Sequence, residues 1–544
     1  VQLTLPGGAT SIIDVATKVS ASFALDSSGQ IWGWGDNLYT SPVLVATIPG
    51  ATRIMNTYAF LSDGSVWFYY FMVPAVQIEG GMGIVKINEG SSHTLLLADP
   101  DLQPPTAPTG LTASALSGRQ VKLSWTAATD DIHVYQYNIY ANSVLKVTIY
   151  GYYTDTVVMG LTPGTLYSFD VEAVDLLGQT AISTTPASAT TMSAGLVDIG
   201  WAWGRGIDGQ LGIDSMNDAI TPTEMYGLAN IVQIDGGDTY ALIVLADGTL
   251  WSAGDPFGQP GDEFMSGTGT PVQVTGISGV INASAGPTHS VALLADGSVW
   301  TWGSNAFGQL GLGNTTVSLV PMEVMGLPQI AKVSAGDYYT MALDVNGDVW
   351  TWGYNVYGQL GIGNTTNKNT PQQPMVTVPV LDIDAGHSHA MTICANNQVH
   401  LWGFNGYGQI GDGTTANWLT EYTPLLYNIK LIAAGYGHSI AIDTSDVVYA
   451  WGYNGYGQLG IGNTTSKTTP IAAFTSPGYT AIRAGDYHNI ARLTDGTLAV
   501  WGLNNVSQLG LGDWTNRLTP TALTTPTGVT AIGAGLDFTF AVAP

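Results

Sequence analysis

The side chains that could do chemistry in this chain recur at fixed places. His93, His289, His389, His438 and His488 occupy one position of a recurring A-G-x-x-H phrase, where Tyr240, Tyr339 and Phe538 stand in other copies. One imidazole per copy is a poor metal site. Packed sheets lie ~10 Å apart, and ions are held at ~2 Å. The reading is a structural, hydrogen-bonded histidine, with no metal and no cofactor. "HSH" at 387–389 offers two imidazoles within one copy and is read as no better a chelate. Asp382 and Asp384, two apart on an expected strand, could pair as glycosidase acids do. Such a pair is also expected by chance in so acidic a chain. Cys394 ends the apolar run "HAMTIC" and reads as a small buried hydrophobe. There is no G-x-S-x-G, phosphate loop, H-E-x-x-H or EF-hand pattern. The chain is therefore expected not to be an enzyme.

Two further sets are candidates for contact. Phe307, Tyr354, Tyr357, Phe404, Tyr407, Tyr453 and Tyr456 recur in loops of the form W-G-(Y/F)-N-x-(Y/F)-G-Q. Tyr and Asn suit polar recognition of protein or sugar. The alternative is that each ring packs on its neighbour. Asn282, Asn314, Asn364, Asn463 and Asn505 head N-x-(S/T) sequons, glycosylation acceptors where the producing cell modifies them.

The elements that must position these residues follow from the repeat. "TWGYNVYGQLGIGNTT" at 351–366 has copies from Thr301, Leu401, Ala450 and Val500, and a looser one at Ala202. Positions 203, 253, 302, 352, 402, 451 and 501 are spaced 50, 49, 50, 50, 49 and 50 residues apart. A period of that size is the signature of a propeller or solenoid. Before each copy, as in "SAGDYYTMALDVNGDVWTWG", alternating apolar residues flank Asn-Gly or Asp-Gly, a hairpin signal. Units of three or four short strands suit propeller blades.

These phrases resemble the regulator-of-chromosome-condensation repeat family, over residues 195–544 and more weakly over 1–99. The resemblance implies a closed β-propeller, usually of seven blades. Weaker W-G strands at 27–37 and 61–71 bring the count here to nine. Nine is the expected number and seven the family default. The terminal "AIGAGLDFTFAV" lacks a following W-G strand and is expected to close the ring with the N-terminal part, near Trp34. Between 104 and 192 the repeat stops. "WTAATDDIHVYQYNIY" with Trp125, and "LTPGTLY" with Tyr167, resemble a fibronectin type III domain, a β-sandwich. It enters where other units have a hairpin tip, a place that tolerates insertion. The expectation is an all-β chain: degenerate propeller repeats over 1–103, the inserted sandwich over 104–192, and regular repeats over 193–544.

Composition narrows the function. The chain has 544 residues, 40 acidic against 14 basic, net charge −26, and 10% charged residues. Such a field repels nucleic acid and anionic membranes, and no apolar run reaches the ~18–20 residues of a membrane helix. The sequence opens at Val1, as a chain that had lost a signal peptide or other leading stretch would. The reading is a secreted or surface-exposed, non-enzymatic binding or structural protein. Its propeller rim would contact protein or glycan, or another copy in an extracellular assembly. Three alternatives stand beside it. The family resemblance implies nucleotide exchange on a small GTPase, or a β-lactamase inhibitor like a secreted bacterial relative. The fibronectin-like insert suits the accessory domain of a glycan-active enzyme.

Overall fold

The computed structural model describes residues 11–18, 21–35, 39–55, 58–61, 66–70, 73–77, 84–89, 94–98, 103–130, 134–175, 178–193, 198–254, 268–424, 426–476 and 478–544. All regular elements among them are strands. They form two compact bodies, one of Val1–Ser114, Lys122–Val158 and Leu166–Ala189, the other of Ala115–Val121, Met159–Thr165 and Thr190–Pro544.

The second body is a ring of seven four-stranded antiparallel sheets. In each regular sheet the inner strand carries the A-G residues, the next begins at the histidine position, and the third is the W-G strand. The fourth forms the outer edge, as in Val380–Ala385, His389–Cys394, Val399–Gly403 and Trp418–Tyr422. Both middle strands are buried on both faces, which is why they read as near-continuous apolar runs. The inner strands contact one another all the way round, from Ile231–Gly236 through Tyr479–Ala484 and Ala531–Ala534 back to Ile231–Gly236.

Seven sheets complete that ring, and this corrects both the count of nine and the expected closure. The last strand, Phe538–Ala543, pairs with Ile199–Gly204, Phe540 opposite Ala202. The physical reason lies in two half-blades. "GLVDIGWAWG" has a W-G strand but no A-G strand before it, and "AIGAGLDFTFAV" has the reverse. Together they make one sheet. The strand of Trp34, Gln30–Gly35, pairs instead with Ala21–Asp26 and Tyr39–Thr47 in a sheet of the first body. Ala51–Gln77 supplies a second four-stranded sheet there, and Ile84–Glu89 with Thr94–Ala98 a hairpin. His93, and residues 99–102 where the insertion is expected to enter, lie outside the described residues.

The inserted segment is a sandwich of a three-stranded and a five-stranded sheet. Leu123, Trp125, Tyr137, Ile139, Phe169 and Val171 form its core. Trp125 meets Tyr137 edge-on at 5.3 Å, and the Tyr137 hydroxyl accepts the Ala128 N–H at 2.8 Å. Tyr167, half-buried, lies beside Phe169.

The glycine of A-G-x-x-H is required by space. A Cβ on Gly435 would stand 2.2 Å from the His438 ring, and one on Gly485 2.2 Å from that of His488. Gly435→Ala is expected to destabilise the ring by about 1–3 kcal/mol, read as a lowered midpoint in chemical unfolding. An unchanged midpoint would show that the turn yields freely.

Candidate functional site

In the blades whose loops are described, two loops meet at one end of the ring. In the blade of Val380–Ala385 and His389–Cys394, His389 pairs with Gly403, so the A-G-x-x turn lies beside the loop that follows W-G. The Phe404 N–H then donates to the Ser388 carbonyl at 2.8 Å, as Tyr354 does to Tyr338 and Tyr453 to Gly437. The polar residues of the loop are consumed in holding its shape. Asn355 Nδ2 donates to the carbonyls of Asn364 and Thr366, its Oδ1 accepts the Leu360 N–H, and Gln359 Oε1 accepts the Tyr357 N–H. Both are buried, as are their counterparts in neighbouring blades. The variable aromatic positions are left at the surface.

Those rings form a continuous belt. Phe307 meets Tyr354 at 4.7 Å, Tyr354 meets Tyr357 at 6.0 Å, and Tyr357 meets Phe404 at 4.9 Å. Phe404 leads to Tyr407, Tyr407 to Tyr453, and Tyr453 to Tyr456. All seven candidate rings are thus in one row. They pack on each other across blade boundaries and stay partly accessible, Tyr407 most of all at 37%. Tyr338, Tyr436 and Tyr487, which the sequence reading does not single out, complete the belt together with His387, weighed there only as a metal ligand. They sit in the x positions of A-G-x-x, the part of the phrase that changes from copy to copy. An aromatic at that place in three blades was the available signal.

Inside the belt, at the mouth of the axial cavity, carboxylates gather. Asp337 pairs with His387, and Asp238, Asp486 and Asp537 stand near. Burial, and then the Asp337, Asp537 and Asp238 charges, hold Asp486 far above the usual carboxylate range. Burial also raises Asp238 and Asp537, with Arg205 opposing. Deeper in, the cavity of ≈ 130 Å³ is lined by Asp235, Asp384, Lys332 and Arg483 among others. Asp235 is pushed up to about 6 by burial. The two carboxylates weighed as a catalytic pair are engaged separately. Asp382 binds Lys332, and Asp384 accepts the Ala434 N–H of the next blade at 2.8 Å.

The buried histidines join neighbouring blades. His389 Nε2 lies 3.0 Å from Ser439 Oγ, whose hydroxyl donates to the Gln409 carbonyl at 2.8 Å. His438 Nε2 meets Asn489 Oδ1 at 2.9 Å, which assigns the proton to Nε2. Among the described residues no group of three or more His, Cys, Asp or Glu is placed to hold a metal. Cys394 is buried, and burial pushes its thiol up to about 11. Of the sequon asparagines, Asn314, Asn364, Asn463 and Asn505 are exposed. Asn282 instead lines the axial cavity and donates to Gln233 Oε1 at 3.1 Å. It therefore sits, half-buried, at the axis and not on the outer surface.

Burial holds His389 down at about 3. The unfolded chain takes up that proton near its ordinary 6.5, so the stability this group contributes is complete above 6.5 and lost as pH falls toward 3. Asp235 works oppositely, losing its contribution as pH rises through about 6. A variant isolates the histidine. His389→Tyr places there the residue that Tyr339 already is one blade earlier. Its unfolding free energy is expected to fall less steeply than that of the natural chain between pH 6.5 and 4, by up to about 1.4 kcal/mol per pH unit. Parallel pH profiles would show that the imidazole is not held neutral.

Comparison with known proteins agrees with this geometry. The profile of the RCC1-like domain matches residues 257–544, that of the regulator of chromosome condensation (RCC1) repeat 201–244, and that of the fibronectin type III domain 106–189. Among solved structures, human WBSCR16 superposes with a TM-score of 0.57 at 20% identity, covering 64% of this chain and 98% of that one. Yeast RCC1 (Prp20), solved bound to Kap60, superposes with a TM-score of 0.59 at 21% identity, covering 64% and 90%. At those identities the likeness is one of fold. Among curated proteins, chitinase A1 of Niallia circulans is 30% identical over 187 residues, 34% of this chain and 26% of that protein. This chain thus spans about a quarter of that relative.

Proposed function

Because the chain belongs to the RCC1-like domain family, we propose that it is a non-enzymatic binding protein whose propeller takes a protein partner on the aromatic belt. The observation that carries this reading is the belt itself. Side chains from successive blades form one unbroken row from Phe307 to Tyr456, on loops whose backbones are stapled by buried Asn and Gln. Rigid loops bearing Tyr and Phe bind with little loss of conformational freedom. The yeast relative is itself seen with a protein partner.

The non-enzymatic part is supported by the separate engagement of Asp382 and Asp384. The extracellular part of the reading is supported by the acidic, charge-poor composition. It is also supported by a fibronectin type III domain resembling those of chitinases, enzymes whose names denote a polymeric glycan. Assembly of copies through the same belt is the self-associating form of this proposal.

The test compares the natural chain with Tyr407→Ala/Tyr453→Ala, each immobilised and exposed to surface and secreted proteins of the producing cell. A partner identified by mass spectrometry is expected to bind the natural chain at least about tenfold more tightly. Equal binding by both would remove the belt from the reading. Hydrolysis of a glycan by the purified chain would overturn its non-enzymatic part.

A further inference from the structure

The first body carries a second surface of a different kind, on the outer face of the five-stranded sheet of the fibronectin type III sandwich. From Gln136 onward the strand Val134–Ala141 alternates: Tyr137, Ile139 and Ala141 point into the core, while Gln136, Asn138 and Tyr140 face outward, half-buried. The register sets Tyr150 opposite Gln136 and Thr148 opposite Asn138 on one side. On the other side Glu172 stands opposite Asn138. These groups form one hydrogen-bonded row. Tyr140 donates its hydroxyl to Glu172 Oε2 at 2.8 Å and Asn138 Nδ2 donates to the same oxygen at 3.0 Å. Asn138 Oδ1 accepts from Thr148 Oγ1 at 2.8 Å and from Gln136 Nε2 at 3.3 Å.

The row ends on an aromatic platform. Tyr150, Gly151, Tyr152 and Tyr153 form a tight turn, with the Tyr153 N–H on the Tyr150 carbonyl at 3.1 Å. Gly151 presses against the neighbouring strand so closely that a Cβ would lie 1.8 Å from the Val134 carbonyl oxygen. That approach sets the rings of Tyr150 and Tyr152 parallel within 4°, centroids 5.7 Å apart, with Tyr153 4.4 Å further on. Tyr150, Tyr152 and Tyr153 are exposed by 60%, 63% and 49%. Three adjacent rings left in water add nothing to the sandwich core, and a contiguous patch of this kind marks an interaction site.

Charge selects the ligand. On a chain of net charge −26, this strip offers rings, hydroxyls and amides, and its carboxylate Glu172 already accepts two donors. An anionic ligand is repelled, and a hydroxyl-rich neutral one is the complement. A pyranose has a C–H face that stacks on a tyrosine ring and an edge of hydroxyls that donates to and accepts from amides and carboxylates. We propose that this face binds a neutral polysaccharide, with sugar rings stacked on Tyr150 and Tyr152 and hydroxyls held by Gln136, Asn138 and Glu172. The site stands independently of the propeller belt.

The experiment is co-sedimentation of the full-length chain with microcrystalline cellulose and with chitin powder, two flat, unbranched neutral polymers. The natural chain is expected to be retained by at least one. Tyr150→Ala/Tyr152→Ala is expected to lower the retained affinity at least about tenfold, with an unchanged unfolding midpoint because both rings are exposed. Tyr150→Phe/Tyr152→Phe keeps the stacking faces and is expected to stay within a few-fold of the natural chain, while Glu172→Gln weakens retention less than the double alanine. The belt variant Tyr407→Ala/Tyr453→Ala is expected to sediment like the natural chain. The proposal is overturned if neither polymer retains the natural chain, if the double alanine variant is retained equally, or if retention is lost only in the belt variant.

Discussion

In four of the seams between blades two donors converge on a single backbone carbonyl, that of the glutamine in (G/S)-Q-(L/I)-G. The Gln309 carbonyl accepts the indole N–H of Trp352 at 2.9 Å and the hydroxyl of Thr340 at 2.9 Å, both from the following blade. Gln409 receives Trp451 and Ser439, Gln458 receives Trp501 and Asn489, and Gln508 receives Trp203 and Thr539. The second donor is itself fixed by the histidine of the blade before it, as His289 Nε2 meets Thr340 Oγ1 at 2.9 Å. Both lone pairs of one oxygen are thus used, in a dry seam where an unmet donor would be costly. The spacing of Trp, His and Gln within a repeat is set by this meeting point.

Much of that arrangement is legible in the sequence, because what repeats is what the seam needs. Trp352, in the W-G phrase, reads as a strand residue, whereas the loop Asn, read as a recognition group, is buried and spent within the loop itself. His389 reads as a hydrogen-bonded core residue. Three things were not legible. The closing sheet is built from two incomplete units at opposite ends of residues 199–543, so neither half signals the other by local pattern. The belt members Tyr338, Tyr436 and Tyr487 stand at positions where copies differ, and only the ring brings variable positions of adjacent blades together. Asn282 matches a surface motif and yet lines the axis, because the inner strand of its blade faces the cavity.

The same division separates scaffold from surface. The Trp, His, Asn and Gln common to the W-G, A-G-x-x-H and N-x-x-G-Q phrases are buried, whereas the aromatic and acidic residues that vary lie on the belt or around the axial mouth. Change at Tyr407 or Asp486 leaves the seam bonds untouched. A repeat built this way can alter what it recognises without altering how it stands.

Ring closure also orders events in time. Trp203 donates to a carbonyl 305 residues further along the chain, and its strand takes its inner neighbour from Phe538–Ala543. During synthesis the strand Ile199–Gly204 is made early and then waits, one edge open, while the intervening sheets emerge. Its neighbour exists only when the final strand leaves the ribosome. An unpaired strand edge is an invitation to wrong partners, so the first W-G strand of the ring is its most vulnerable part until the last is made. Ribosome stalling anywhere after it prolongs that exposure.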